Sequence, residues 1–212
     1  MKRFVLAALL LAGCDDDQPR APTPEEMGPL GDPAVSTAWE IGPVINGNNY
    51  SGGAPLHPEQ AADGLVISFP TPETHVHYVA FRHGSLAGKT TIRMRYRVEG
   101  GLFRPVKAPE LPSIGPVLYF ATSDNDWRSD GQRWWVSLPP MPIEPGEYEL
   151  VASLKGVWGS VMTMTSANAA AFEAAKAKAD RVGFTLGGGD GLGHGVTADT
   201  PSSITILSFE VL

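Results

Sequence analysis

The residues best suited to touch a ligand lie in one short span. Trp127, Trp134 and Trp135 form the densest aromatic run of the chain. Trp127 sits in a polar loop, Ser123 to Gln132, among Asp124, Asn125, Asp126, Arg128 and Asp130. A sugar offers apolar C–H faces and a rim of hydroxyls. An indole stacks on the faces; carboxylates, amides and a guanidinium hydrogen-bond the rim. Trp127 with one of Trp134 or Trp135, flanked by Asp124, Asp126 and Arg128, is therefore the candidate ligand site. Trp134 and Trp135 are adjacent, so in a strand they face opposite sides and the simple pattern puts at most one of them in the core. A competing account has Trp127 only pinning its loop to the body of the fold.

Other chemistry is more thinly represented. Asp124, Asn125 and Asp126, with Ser123 and Asp130, offer the hard oxygens that a structural calcium ion takes, but not the spacing of an EF-hand loop. The same side chains serve equally well bonding backbone amides in a turn. His75 and His77 fall on one strand face at a spacing that can chelate a transition metal. No cysteine or carboxylate is placed to complete a tetrahedral set. His57, His83 and His194 are scattered in loops, and the glycines around His194 are explained by positive φ or close backbone approach. Arg93, Arg95 and Arg97 form a basic row that could grip an anionic polysaccharide or a phosphate. Glu147 and Glu149 alternate in the same way on another strand and would pair with that row across a sheet.

Catalytic signatures are absent. Gly156-Val157-Trp158-Gly159-Ser160 does not fit the G-x-S-x-G elbow, no H-E-x-x-H occurs, and the close Glu-x-Asp-x-x-Glu cluster of some jelly-roll glycosidases is missing. Carboxylates converging from distant strands would still make an enzyme. The balance of the sequence is against one.

The elements that must position these residues are strands. Lys89 to Glu99 alternates most cleanly, with Ile92, Met94, Tyr96 and Val98 on one face and Thr91, Arg93, Arg95 and Arg97 on the other. Ser36–Ile41, Leu65–Phe69, Val76–Arg82, Val117–Thr122, Arg133–Leu138 and Gly146–Leu154 are further strands. Arg181 to Leu212 reads as strand, glycine-rich loop and strand, with Val182, Phe184 and Leu186 buried in the first and Leu207, Phe209 and Val211 in the second. One helix interrupts the strands near 167–180. It is alanine-rich, capped by Ser166 or Asn168, docked through Phe172, and carries Glu173, Lys176 and Lys178 as solvated positions; it is expected to plug one end of the fold. With 24 glycines and 19 prolines between short apolar bursts, the expectation is an all-β domain: a two-sheet antiparallel jelly-roll sandwich over residues 35–212.

The first residues have a different purpose. Lys2 and Arg3 precede a short apolar run, Phe4 to Ala12, too short to span a bilayer as a helix. Leu11-Ala12-Gly13-Cys14 resembles the lipobox of bacterial lipoproteins. That resemblance implies that residues 1–13 are a signal peptide and that Cys14 is acylated and anchors the mature protein to a membrane. Several acyl chains on one cysteine give stable anchoring. Cys14 is the only cysteine, so the exported domain has no disulfide and no catalytic thiol. Residues 14–34, acidic and proline-rich, read as a flexible tether. Asp15 is similar to an inner-membrane retention signal of enterobacterial lipoproteins, a rule other bacteria do not follow uniformly, so both membranes stay open. Cleavage removes Lys2 and Arg3 and leaves 14 basic against 23 acidic residues, a net charge of −9. Such a domain is no general nucleic-acid binder.

The predicted sandwich, its aromatic cluster and the Gly183-to-Val196 segment resemble galactose-binding-like domains and carbohydrate-binding modules. The resemblance implies sugar binding on aromatic platforms in loops or on a concave face, and often a structural calcium. The function expected from the sequence is a non-catalytic, lipid-anchored glycan-binding protein facing the periplasm or exterior. A structural lipoprotein that docks another envelope protein is the alternative, and a polysaccharide-degrading enzyme the third.

Overall fold

The computed structural model describes residues 31–107, 109, 113–137, 141, 143–161, 164–188 and 193–212. The expectations for the leader, for Cys14 and for the tether up to residue 30 lie outside the described residues. Numbering strands in chain order, one sheet runs β1 (Trp39–Gly42), β7 (Tyr78–Arg82), β14 (Ala179–Gly188), β10 (Ser113–Thr122), β11 (Arg133–Val136) and β13 (Trp158–Ser160) in space. The other runs β12 (Gly146–Ser153), β8 (Thr91–Glu99), β16 (Ser202–Val211), β5 (Gly64–Phe69) and β4 (Glu59–Ala61). A small sheet of β6 (His75–Val76), β15 (Val196–Ala198) and β9 (Phe103–Pro105), and a hairpin of β2 (Val44–Ile45) and β3 (Asn48–Asn49), complete the strands. All these pairings are antiparallel. The expected all-β sandwich of jelly-roll type, with one short helix, is the observed fold.

Its core lies between the two large sheets. Trp39, Phe81, Phe120, Trp134, Trp158 and Phe184 come from the six-stranded sheet; Phe69, Ile92, Met94, Tyr96, Ile204 and Phe209 come from the five-stranded one. Each large side chain buried there contributes about 1.5–3 kcal/mol. On β8 the alternation holds residue by residue, with Ile92, Met94, Tyr96 and Val98 buried. Its outer face carries the arginine row, and β12 lies beside it with Glu147 opposite Arg97 and Glu149 opposite Arg95. Arg95 reaches Glu147 at 3.8 Å, Arg93 reaches Glu149 at 3.8 Å and Glu210 at 3.7 Å, and Arg97 bonds Asp63 at 2.7 Å. The basic row is a cross-strand charge ladder, and its guanidiniums are already taken.

Three sequence expectations need correction. Along β16 the buried face is Ile204, Ile206 and then Phe209, because the register against β8 slips between Ile206 and Ser208. Leu207 is the inserted residue of this bulge and is only partly buried. The helix, α1, spans Ala169–Ala177; Asp180 is drawn into β14, where its carboxylate binds Arg82 at 2.8 Å. Lys176 is buried, not solvated: its ammonium pairs with Glu173 at 2.7 Å and lies 5.5 Å from the Phe172 ring centroid. The expected cap and the docking through Phe172 are seen. Asn168 caps the helix by accepting from the Ala171 N–H at 3.3 Å. Phe172 inserts among Phe120, Trp134 and Trp158, so the helix covers the inner face of β10, β11 and β13.

The six-stranded sheet departs from a simple sandwich on its other side. A second buried cluster of Tyr78, Ala80, Tyr119, Ala121 and Trp135 occupies its outer face, with Trp127 and Val161 packed against it. Consequently β11 is buried at all four positions. Residues from far along the chain must cover that face, and between them they leave a hollow.

Candidate functional site

The hollow is a pocket of about 690 Å³ on the outer face of the six-stranded sheet. Its polar and aromatic wall comprises Tyr50, His77, Tyr78, Trp127, Arg133, Trp135 and His194, with Ile45 and Val161 among the apolar residues. No carboxylate lines it among the described residues.

Trp127 is placed by its loop. Asn125 Oδ1 accepts from the Trp127 N–H at 3.1 Å. Asp126 accepts from the Arg128 and Ser129 amides at 2.8 and 2.7 Å and from the Ser129 hydroxyl at 2.6 Å. Those bonds, the Ser129 hydroxyl foremost, hold the Asp126 carboxyl at a pKa of about 2. Wound this tightly, the loop forces Trp127 to φ +65°, a conformation rare for a bulky residue. The result folds its indole back onto the sheet, edge-on to Tyr78 at 5.2 Å. Tyr78 in turn meets Tyr119 edge-on at 4.9 Å.

Arg133 occupies the middle of this aromatic group and is 8% exposed. Its guanidinium carbon stands 5.0 Å from the Trp127 centroid and 5.5 Å from that of Trp135, within cation–π range of both. Nη2 donates to the Trp127 carbonyl at 2.8 Å and Nη1 to the Tyr78 hydroxyl at 3.3 Å. Among the described residues no carboxylate pairs with it.

His77 interrupts the strand that the sequence suggested over Val76–Arg82, standing between β6 and β7. Its N–H donates to the Ser51 hydroxyl at 3.0 Å, and its carbonyl accepts from Leu186 N and the Thr185 hydroxyl, both at 2.9 Å. Nδ1 lies 3.1 Å from the Gly193 carbonyl, so it carries the proton and Nε2 is an acceptor. Burial lowers the His77 pKa to about 4; the Gly193 carbonyl opposes this and the neighbouring His75 and His194 reinforce it. The ring is neutral at physiological pH.

The glycine-rich segment supplies the far wall by close approach. A Cβ on Gly193 would stand 2.1 Å from the Tyr78 hydroxyl oxygen, and one on Gly195 would stand 2.6 Å from the His77 ring. Both residues also have positive φ, +77° and +83°.

Three buried polar atoms of wall residues have no hydrogen-bond partner among the described residues: His77 Nε2, Arg133 Nε and Trp135 Nε1. The Trp135 N–H lies near the Tyr78 hydroxyl but lacks the geometry of a hydrogen bond. Unfilled donors and acceptors are rare inside proteins. Here three of them belong to the wall of one pocket.

The sequence candidates separate as follows. Trp127 and Trp135 come together in the wall. Trp134, also expected as a possible platform, is fully buried in the core, and its N–H is bound to the Gly131 carbonyl at 2.8 Å, so it offers a ligand nothing. Asp124 sits 3.6 Å from Lys178, Asp126 is committed to its own loop, and Arg128 is exposed and outside the lining. The residues that sequence reasoning passed over are Arg133, Tyr78 and Tyr50; it considered His77 only with His75 as a metal-chelating pair, and gave His194 no binding role. One signal was present: Arg133-Trp134-Trp135-Val136 does not alternate, which marks a strand buried on both faces.

Beyond Trp127 lies a second depression of about 400 Å³, but its charges are satisfied internally, Arg82 with Asp180 at 2.8 Å and Arg181 with Glu40 at 3.2 Å. No group of three or more His, Cys, Asp or Glu residues gathers as a metal site among the described residues. None of their helices is long and apolar enough to cross a membrane. No protein-family model, curated protein or solved structure matches the chain.

Proposed function

We propose that this protein is a lipid-anchored component of a bacterial cell envelope whose sandwich binds carbohydrate, without transforming it, in the pocket between Tyr78, Trp127 and Trp135. One observation supports the reading above the others: two indoles and a phenol converge on a hollow whose wall also carries a buried arginine and two histidines. Its volume falls in the ~300–1,000 Å³ range of small-molecule sites. Apolar ring faces with a few fixed polar groups are what a sugar requires. The absence of a carboxylate pair from the described lining favours binding over glycoside hydrolysis. The anchor rests on the Leu11-Ala12-Gly13-Cys14 segment and places the domain at the membrane surface, facing the periplasm or exterior.

The test is a glycan array probed with the chain lacking residues 1–14, followed by tryptophan-fluorescence titration of the hits. Trp127→Ala and Trp135→Ala, each verified to melt cooperatively, should lose binding; Trp127→Ala should do so about fivefold or more, since stacking a base on an aromatic side chain is worth ~1–3 kcal/mol and a sugar face stacks on an indole in the same manner. A wild-type protein that binds no glycan, or a folded Trp127→Ala variant that binds as well as wild type, refutes the reading and puts protein docking ahead.

A further inference from the structure

The pocket wall holds a cation with no counter-charge among the described residues. Of the described arginines, Arg82, Arg93, Arg95, Arg97, Arg104 and Arg181 are each within ion-pair distance of a carboxylate. Only Arg128, which is exposed, and Arg133 have none among the described residues. Arg133 is the most deeply buried of them all. An acidic chain that pairs all its other described arginines but the exposed Arg128 has left its most desolvated one unmatched among the described residues. Burying an unpaired charge is costly, and cation–π contact with Trp127 and Trp135 offsets only part of that cost.

The surroundings strengthen the case. Burial first, and then the charges of Lys107 and Arg133, lower the pKa of His194 on the same wall, within a protein of net charge −7. Nη1 and Nη2 of Arg133 are held by Tyr78 and the Trp127 carbonyl, which fixes the plane of the guanidinium while Nε stays unpartnered. A fixed planar fork suits a planar carboxylate. Beside it, His77 is neutral, and its Nε2 lies buried in the wall without a hydrogen-bond partner among the described residues.

We infer that the ligand is an acidic sugar, a hexuronate unit whose ring packs on Trp127 and Trp135 and whose carboxylate is held by Arg133. The inference rests on the carbohydrate-binding reading of the same pocket and narrows it to one substrate class. A carboxylate alone would leave the indole faces unused; a neutral sugar would leave Arg133 without its partner.

The test uses galacturonate, glucuronate and mannuronate oligosaccharides, each beside its carboxyl-reduced twin, which keeps the ring and its hydroxyls but replaces the carboxylate by a neutral CH₂OH group. Titration calorimetry with the wild-type chain lacking residues 1–14 should show at least one acidic oligosaccharide binding about 10–100-fold more tightly than its twin, the range of a charge-assisted hydrogen bond. Arg133→Gln should abolish that preference, so that the acidic and reduced twins bind the variant equally, and Arg133→Lys should restore only part of it. Equal binding of the acidic and reduced twins by wild-type protein overturns the acidic-sugar inference and leaves carbohydrate binding standing. Binding of neither member of any pair, with none on the wider array, overturns both. The wild-type comparison needs no variant to fold.

Discussion

His77 makes the fold sensitive to acid in a calculable way. In the unfolded chain its imidazole takes a proton near pH 6.5; in the fold, burial lowers that value to about 4. Between these limits the unfolded state binds a proton that the folded state refuses, so stability falls as pH falls. Above about pH 6.5 the full stability is present. Below about pH 4 both states are protonated and this residue contributes no further slope. The gap is worth at most ~3.4 kcal/mol at 1.36 kcal/mol per pH unit; because the ring keeps some contact with solvent, about 2 kcal/mol is expected. His83 and His194 are also lowered, chiefly by burial, so the wild-type curve alone does not isolate His77. The comparison that does is urea unfolding of wild type and His77→Gln at pH 7.5, 5.5 and 4. The variant loses the hydrogen bond to the Gly193 carbonyl at every pH, but the difference between the two proteins should narrow by about 2 kcal/mol from pH 7.5 to pH 4. A difference that stays constant over that range would show that His77 is not held neutral by the fold, and would remove the unfilled acceptor from the pocket.

Three further outcomes are expected. Phe172→Ala should cost about 3–5 kcal/mol, since its ring contacts Phe120, Trp134 and Trp158; a change under about 1 kcal/mol in denaturant unfolding would mean that the helix is not held by this side chain. Removing Leu207 to Leu212 deletes Phe209 and the pairing of β16 with Arg95 through Ile92, and should abolish cooperative melting, because stability of ~5–15 kcal/mol does not survive the loss of half a central strand. Replacing Cys14 by Ser should move the protein from the membrane to the soluble fraction of fractionated cells. An unchanged distribution would dismiss the lipid anchor.

How much of this was legible in the sequence depends on how far apart the cooperating residues lie. On β8 and β12 a local pattern suffices: one face meets the core and the other meets water, so side chains alternate and the arginine–glutamate ladder can be anticipated before any strand is paired. Trp134 and Trp135 obey the same rule, one inward and one outward, but the rule does not say which. The bulge at Leu207 left no mark, because inserting one residue changes the facing of those that follow without changing their types. The pocket was the least visible part. His77 is bonded to Gly193 across 116 positions and Tyr78 to Arg133 across 55, and periodicity within a window of ten residues carries no information over such spans. Asp124, Asp126 and Arg128 attracted attention because the side chains that bind sugars also wind tight turns. Asp126 does wind the turn, and by doing so it sets Trp127 at positive φ against Tyr78 and Arg133. Its place in the site is one step back from the ligand: the acidic loop builds the wall, and the unmatched charge that faces the pocket comes from the neighbouring strand.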